Sequence, residues 1–310
     1  MSTDSGKGII TKGVGGLYTI RLEDGTYVNA SARGNLRIKK QKPIIGDIVT
    51  VVPSGDPDVE CVLDTILPRK NYLIRPPVAN VDAMLLSFAV KDPEPDLKLL
   101  DKLLVILALI DVKPVVVFTK SDLDPSYSEK LVSVYKNAGY TVFGVSENNS
   151  DELKEYILSL PENFCISFAG PSGVGKSTLC NTILETGAME VGLISERLKR
   201  GKHTTRHVEL FEYAHGFVLD TPGFTSLELF ELGVDFRNII LGYPEFERLA
   251  VDCQYDDCRH KNEKNCAVIK ALNCANIDEG RYARYVDLYD DLYNHRNDYS
   301  VKRGFYNENK

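Results

Sequence analysis

The run Gly170-Pro-Ser-Gly-Val-Gly-Lys-Ser177 places three glycines, a lysine and a hydroxyl in G-x-x-x-x-G-K-S spacing. Those residue types in that order do phosphate chemistry. Gly170, Gly173 and Gly175 let the backbone close around phosphate oxygens with no Cβ in the way. Successive N–H groups at a helix N-terminus then form an anion cradle. Lys176 reaches the β- and γ-phosphates, and the Ser177 hydroxyl is a ligand for Mg²⁺. The candidate nucleotide contacts of this loop are Gly170, Pro171, Ser172, Gly173, Val174, Gly175, Lys176, Ser177 and Thr178. A glycine-rich turn could arise by chance, so the flanks matter. Phe164 to Ala169 is an apolar, β-prone run before the loop, and Ser177 to Leu184 has helical spacing after it. Strand, glycine loop and helix follow in the order a phosphate loop requires.

Two further sets sit after strand-like runs. Thr119-Lys-Ser-Asp122 follows the apolar stretch Lys113 to Thr119 and is similar to the N-K-x-D element that selects guanine. Asp122 would accept from the guanine N1–H and exocyclic amine, a pair of donors that adenine lacks. The Lys120 stem would lie along the purine, and Ser121 completes the loop. Thr119 departs from the usual Asn, which predicts a weaker hold on the base. Ser146, after the next strand, stands where a third base-contacting loop is expected. Asp220-Thr-Pro-Gly223 is a D-x-x-G element. Asp220 would sit in the outer shell of Mg²⁺, and the Gly223 N–H would sense the γ-phosphate. Thr204 or Thr205 would be the switch ligand to Mg²⁺. Phe224 stands where many small nucleotide switches carry a glutamine, and a phenyl ring orients no water. His203 is therefore a candidate for placing the attacking water, with a partner contact as the alternative.

Cys253, Cys258, His260 and Cys266 form a Cys-x₄-Cys-x-His-x₅-Cys cluster, the donor set of a closed zinc site. Cys274 is left over, and Cys61, Cys165 and Cys180 read as core residues.

The elements that must position these groups fall into three predicted domains: 1–67, 68–230 and 231–310. The first holds short β-runs, Gly16–Leu22, Thr26–Ala30 and Gly46–Val52, separated by turn signals, and predicts an all-β OB-fold barrel. Within it, Arg33 to Lys42 carries five basic residues in ten, a candidate RNA contact or a solvated strand edge. The second alternates buried strands and helices, a mostly parallel α/β core. The third is a helical cap around the cysteines. There Tyr282, Tyr285, Tyr289 and Tyr293 recur at helical spacing and read as a packing face. Arg281, Arg284 and Arg296 would then lie on a polar face open to RNA. The base elements precede the phosphate loop and the D-x-x-G element follows it, so the order is circularly permuted. The switch then leads straight into the C-terminal domain, and its movement should pull on that domain.

The composition, 43% hydrophobic and 26% charged, is that of a soluble globular protein. The net charge of −7 speaks against indiscriminate nucleic-acid binding by the whole surface. Leu99 to Ile110, the strongest apolar run, is too short for a membrane span and carries Asp101 and Lys102. With no signal-peptide core and cysteines clustered for metal, the expected compartment is the cytoplasm.

With these elements together the chain resembles the RsgA (YjeQ-type) family of circularly permuted GTPases. The shared marks are the permuted order, the linker Leu67-Pro-Arg-Lys-Asn71 with Arg75 to Asp82, the switch Gly201-Lys-His-Thr-Thr205, and the cysteine cluster. The resemblance implies an OB-fold, a P-loop GTPase core and a C-terminal zinc domain, with GTP/GDP, Mg²⁺ and one Zn²⁺ as cofactors. It implies a monomer that binds the small ribosomal subunit and its 16S rRNA, assists late maturation, and hydrolyses GTP under stimulation by that subunit. On the residues alone, a nucleotide-gated RNA-binding module with incidental hydrolysis stays open. Asp122 speaks against an ATP-dependent enzyme.

Overall fold

A computed structural model describes residues 6–32, 42–56, 59–74, 77–184, 208–220, 229–230 and 232–296. Five strands come first: β1 (Gly6–Val14), β2 (Leu17–Leu22), β3 (Tyr27–Ala32), β4 (Ile48–Pro53) and β5 (Cys61–Ile66). They pair in the order β1-β2-β3-β5-β4, and β4 pairs back onto β1, which closes a barrel. Only β3 and β5 run parallel among these pairs. That is the OB arrangement expected. Ile10, Ile20, Ala30, Val49, Val51 and Leu63 are fully buried. Val49 and Val51, two apart on β4, show the alternation that sends every second side chain inward. β1 and β5 were not among the expected strands.

A short hairpin of β6 (Tyr72–Ile74) and β7 (Pro77–Ala79) leads to β8 (Ala83–Ala89), helix α1 (Leu97–Leu109) and β9 (Lys113–Thr119). Helix α2 (Pro125–Ala138), β10 (Thr141–Gly144), α3 (Asp151–Leu158), β11 (Cys165–Ala169) and α4 (Lys176–Leu184) follow. Then come β12 (Glu209–Tyr213), β13 (Gly216–Asp220), a 3-10 helix over Phe236–Gly242, α5 (Pro244–Ala250), α6 (Ala267–Asn273) and α7 (Glu279–His295). The expected strand Lys113–Thr119 recurs as stated, and the strand and helix flanking the phosphate loop recur with ends shifted by one residue. Local chemistry sets helix ends. The Asp96 carboxylate accepts from the Leu99 N–H to cap α1. Asp124 caps α2 by accepting from Tyr127, Pro125 opens that helix, and left-handed Gly139 ends it.

The chain forms two compact units. The first comprises Met1–Met84, Asp151–Phe168 and Ser177–Pro222. In it β12 and β13 form an antiparallel hairpin, β13 lies parallel to β11, and β12 touches the barrel through Lys12 opposite Glu209. The second comprises Leu85–Ser150, Ala169–Lys176 and Gly223–Lys310. Its strands run β10-β9-β8, with β10 and β9 parallel. Every residue of β8 is buried, as a strand covered on both faces requires. The C-terminal helices belong to this second unit, together with the base loop and most of the phosphate loop.

Candidate functional site

The phosphate loop leaves β11 at Gly170, whose φ is +144°. A Cβ there would fall 2.0 Å from the Ser87 carbonyl oxygen, so only glycine lets the loop turn at that point. Gly173 and Gly175 also have positive φ. Val174 is buried and pins the loop, while Ser172 and Gly173 are exposed. The Lys176 ammonium donates to the Gly170 carbonyl at 2.8 Å and also to that of Pro171. It is thereby held over the cradle in which phosphate oxygens would sit. Burial lowers its pKa from the ordinary 10.5. Ser177 and Thr178 open α4 directly behind it.

The Thr-Lys-Ser-Asp loop is bonded to the phosphate loop. Thr119 is 5% exposed, and its hydroxyl donates to the Val174 carbonyl at 2.5 Å. Lys120 donates to the Gly173 carbonyl at 3.1 Å and to the Asp92 carbonyl. Lys120 itself is left-handed, φ 54°, which turns the chain into the 3-10 turn Ser121–Leu123 and leaves Asp122 exposed there. The Ser121 N–H donates to Val145, and the Val145 N–H donates to Phe118, so the loop carrying Ser146 is tied to this one. Ser146 and Asn149 exchange backbone hydrogen bonds across the tip. Through that bond the Thr119 hydroxyl spans directly to the phosphate loop. The roles of Asp92 and of the Phe118 carbonyl carried no signal in the sequence.

β13 lies parallel to β11 with Ser167 opposite Leu219, and Asp220 closes the strand at its carboxyl end. The Asp220 side chain, His203, Thr204, Thr205, Gly223 and Phe224 lie outside the described residues, as does the basic run 33–41.

The four cluster residues converge. One donor atom from each of Cys253, Cys258, His260 and Cys266 lies within 4.8 Å of every other. His260 Nδ1 is 3.4 Å from Cys266 Sγ and 3.6 Å from Cys253 Sγ. Burial lowers the His260 pKa, which keeps the imidazole neutral as a ligand must be. Burial and the neighbouring thiols push the Cys258 thiol up to about 12. Three thiols and a neutral imidazole facing one another form a donor set that fits tetrahedral zinc, which would bind the sulfurs as thiolates. Helix α7 holds the loop from behind. Tyr282 donates to the His260 and Lys261 carbonyls, and Tyr285 to that of Arg259. The tyrosine stripe is therefore a packing face, and the hydroxyls of Tyr282 and Tyr285 fix the cysteine loop.

Arg281 and Arg284 depart from expectation. Arg281 is 1% exposed. It bonds Glu245 at 2.9 and 3.1 Å, Asp101 at 2.6 Å and the Gly242 carbonyl at 3.1 Å. Arg284 bonds the other Asp101 oxygen at 2.6 Å. Helical spacing marks such positions as polar; it cannot show that a buried carboxylate 180 residues earlier in the chain waits for them.

These features define a nucleotide-binding P-loop protein of the α/β class, in which the base loop comes earlier in the chain than the phosphate loop it is bonded to. Comparison with known proteins narrows the class. A family model described as RsgA GTPase matches residues 66–230, and one described as RsgA N-terminal domain matches residues 7–57. Two curated relatives carry the name small ribosomal subunit biogenesis GTPase RsgA. That of Clostridium novyi is 40% identical, over 92% of this chain and 97% of its own. That of Ruminiclostridium cellulolyticum is 39% identical, over 91% and 92%. Among solved structures, YloQ, described as a circularly permuted GTPase, superposes with a TM-score of 0.78 at 29% identity, covering 94% of this chain and 96% of its own. YjeQ from Thermotoga maritima gives 0.77 at 29% identity, over 93% and 99%. The chain belongs to the RsgA family of GTPases.

Proposed function

We propose that this GTPase acts on the small ribosomal subunit, assisting its late maturation and hydrolysing GTP to GDP under stimulation by that subunit. The observation that carries the nucleotide reading is the pair of bonds from Thr119 and Lys120 to the Val174 and Gly173 carbonyls. They lock a guanine-selecting loop to a phosphate cradle. Asp122 selects guanine, Lys120 lies along the purine, Ser121 and Ser146 flank the base, and residues 170–178 hold the phosphates. Mg²⁺, when bound, supplies positive charge on the β- and γ-phosphate oxygens. The Ser177 hydroxyl at the head of α4 fits its donor set, with Thr204 or Thr205 as the second hydroxyl. Asp220 would sit in the outer shell of Mg²⁺, the Gly223 N–H reads the γ-phosphate, and His203 places the attacking water. Lys176 carries the developing charge on the transferring group.

The proposed domains are 1–67, 68–230 and 231–310. The barrel and the zinc-bearing cap, with one zinc per chain, are the arms that meet 16S rRNA. Among the described residues no helix is long and apolar enough to cross a membrane, and we place the protein as a monomer in the cytoplasm. The guanine assignment is tested with Asp122→Asn, which exchanges an acceptor pair for an amide. Affinity should move from guanosine towards xanthosine nucleotides. Equal binding of ATP and GTP by the unmutated protein would defeat the assignment.

A further inference from the structure

The Arg281 guanidinium is buried between two carboxylates and three tyrosine rings. Its central carbon lies 4.2 Å from the Tyr243 ring centroid, 5.0 Å from that of Tyr135 and 5.6 Å from that of Tyr140. Tyr135, on α2, is fully buried and held on three sides. Arg281 lies over its ring, its hydroxyl donates to Asp101 at 2.9 Å, and its ring packs on Phe118 at 5.7 Å between centroids. Phe118 is the residue before Thr119. Its carbonyl accepts from Val145, which in turn accepts from Ser121. A continuous set of packed groups therefore runs from α7 through two rings to both base loops, and through the Thr119 hydroxyl to the phosphate loop. The opposite end of α2 is no looser, because Asp124, two residues past Asp122, caps it.

We propose that Arg281, from the C-terminal helix, is a positioning residue for guanine recognition, acting through Tyr135 and Phe118 on the loop that carries Asp122. The proposal rests on the reading of Asp122 as the guanine acceptor. Two carboxylates, Asp101 and Glu245, balance the two guanidiniums of Arg281 and Arg284, so the cluster holds its members without excess charge. A planar guanidinium suits the place and an ammonium does not. It meets Glu245 with two parallel bonds, reaches Asp101 and Gly242 with the rest, and presents a flat face to the rings. The consequence is reciprocal: docking of the C-terminal helix tightens the hold on guanine, and guanine tightens the docking.

The test compares GDP with IDP, whose base lacks the exocyclic amine that Asp122 would accept. Affinities for both are measured by calorimetry on the full-length chain, Arg281→Lys and Tyr135→Phe, with circular dichroism and thermal melting as the check of fold. Arg281→Lys keeps the charge and loses the fork, and should cut the GDP-over-IDP preference about fivefold. Tyr135→Phe keeps the ring and loses its bond to Asp101, and should cut the preference about twofold. IDP keeps the N1–H that Asp122 would also accept, so its affinity should fall too, but by a smaller factor than that of GDP. Folded variants that retain the wild-type preference overturn the proposal. So does an equal loss for both nucleotides, which would leave Arg281 a merely structural role. Should Arg281→Lys not fold, Tyr135→Phe decides alone, and an unchanged preference overturns the proposal. A wild-type protein that does not prefer GDP to IDP overturns the guanine-site reading itself, and this proposal with it.

Discussion

Replacing Asp101 with asparagine should loosen the C-terminal helices more than any surface charge change. Asp101 is fully buried and accepts from Arg281 and Arg284 at 2.6 Å, from Tyr135 at 2.9 Å and from Tyr243 at 3.3 Å. Asparagine has nearly the same shape but only one acceptor oxygen, and its amide would face a guanidinium. Two buried cations would remain against the single carboxylate of Glu245. Breaking a buried pair from one side typically destabilises by about 3–5 kcal/mol, because the surviving charge stays out of water. With an m-value of about 2–3 kcal/mol/M, the urea midpoint of the transition that includes α7 should fall by roughly 1–2.5 M. Asp235→Asn is the control. Its partner Arg237 is 76% exposed at the side chain, where water and salt screen the pair, so that change should leave the midpoint nearly where it was. Urea titration followed by tyrosine fluorescence reads both variants, since the rings of Tyr135, Tyr243 and Tyr285 lie in or beside the cluster. An Asp101→Asn penalty no larger than that of Asp235→Asn would refute the buried network.

Two further outcomes follow from the sites. Burial holds the Lys176 pKa below its ordinary 10.5 in the free protein, whereas polyphosphate favours the charged amine and raises it. GDP affinity should therefore be full below the free-protein pKa and decline as pH rises through it. Titrating from about pH 7 to about pH 10 checks this, and Lys176→Arg, which stays charged, should flatten the profile. Protein purified without chelators should carry about one zinc per chain. Cys258→Ser should release it and lower the melting temperature of the C-terminal part, as elemental analysis and calorimetry would show.

The two loops of the candidate nucleotide site were legible in the sequence because each is local. Gly170 to Ser177 and Thr119 to Asp122 are short runs whose side chains act within a few residues of a strand end. The four metal donors were legible for the same reason, since they span only 253 to 266. What escaped was long-range. Asp101 reads as an interruption of the apolar run 99–110, and only the fold shows that it anchors α7. Arg281 and Arg284 read as a solvated face because helical periodicity cannot reveal a buried carboxylate on another element. Strand β1 escaped for a different reason: Gly6, Gly8 and Gly13 dilute its pattern, although its Ile10 is in the barrel core. Strand β5 carries Asp64 and Thr65 between its apolar residues and gives an equally weak signal. Thr119 was legible as a departure from asparagine, but not as a group whose hydroxyl still reaches Val174.

GTP turnover measured with and without purified small ribosomal subunits, at one fixed salt concentration, tests the central claim most directly. The expected result is slow hydrolysis by the protein alone, because Phe224 orients no water, and a large rise when subunits are added. The rise should be specific to GTP over ATP. In His203→Ala it should shrink far more than the affinity for GTP or for the subunit does, the sign of an interaction made in the transition state. A rate that is the same with and without subunits would contradict the proposed function.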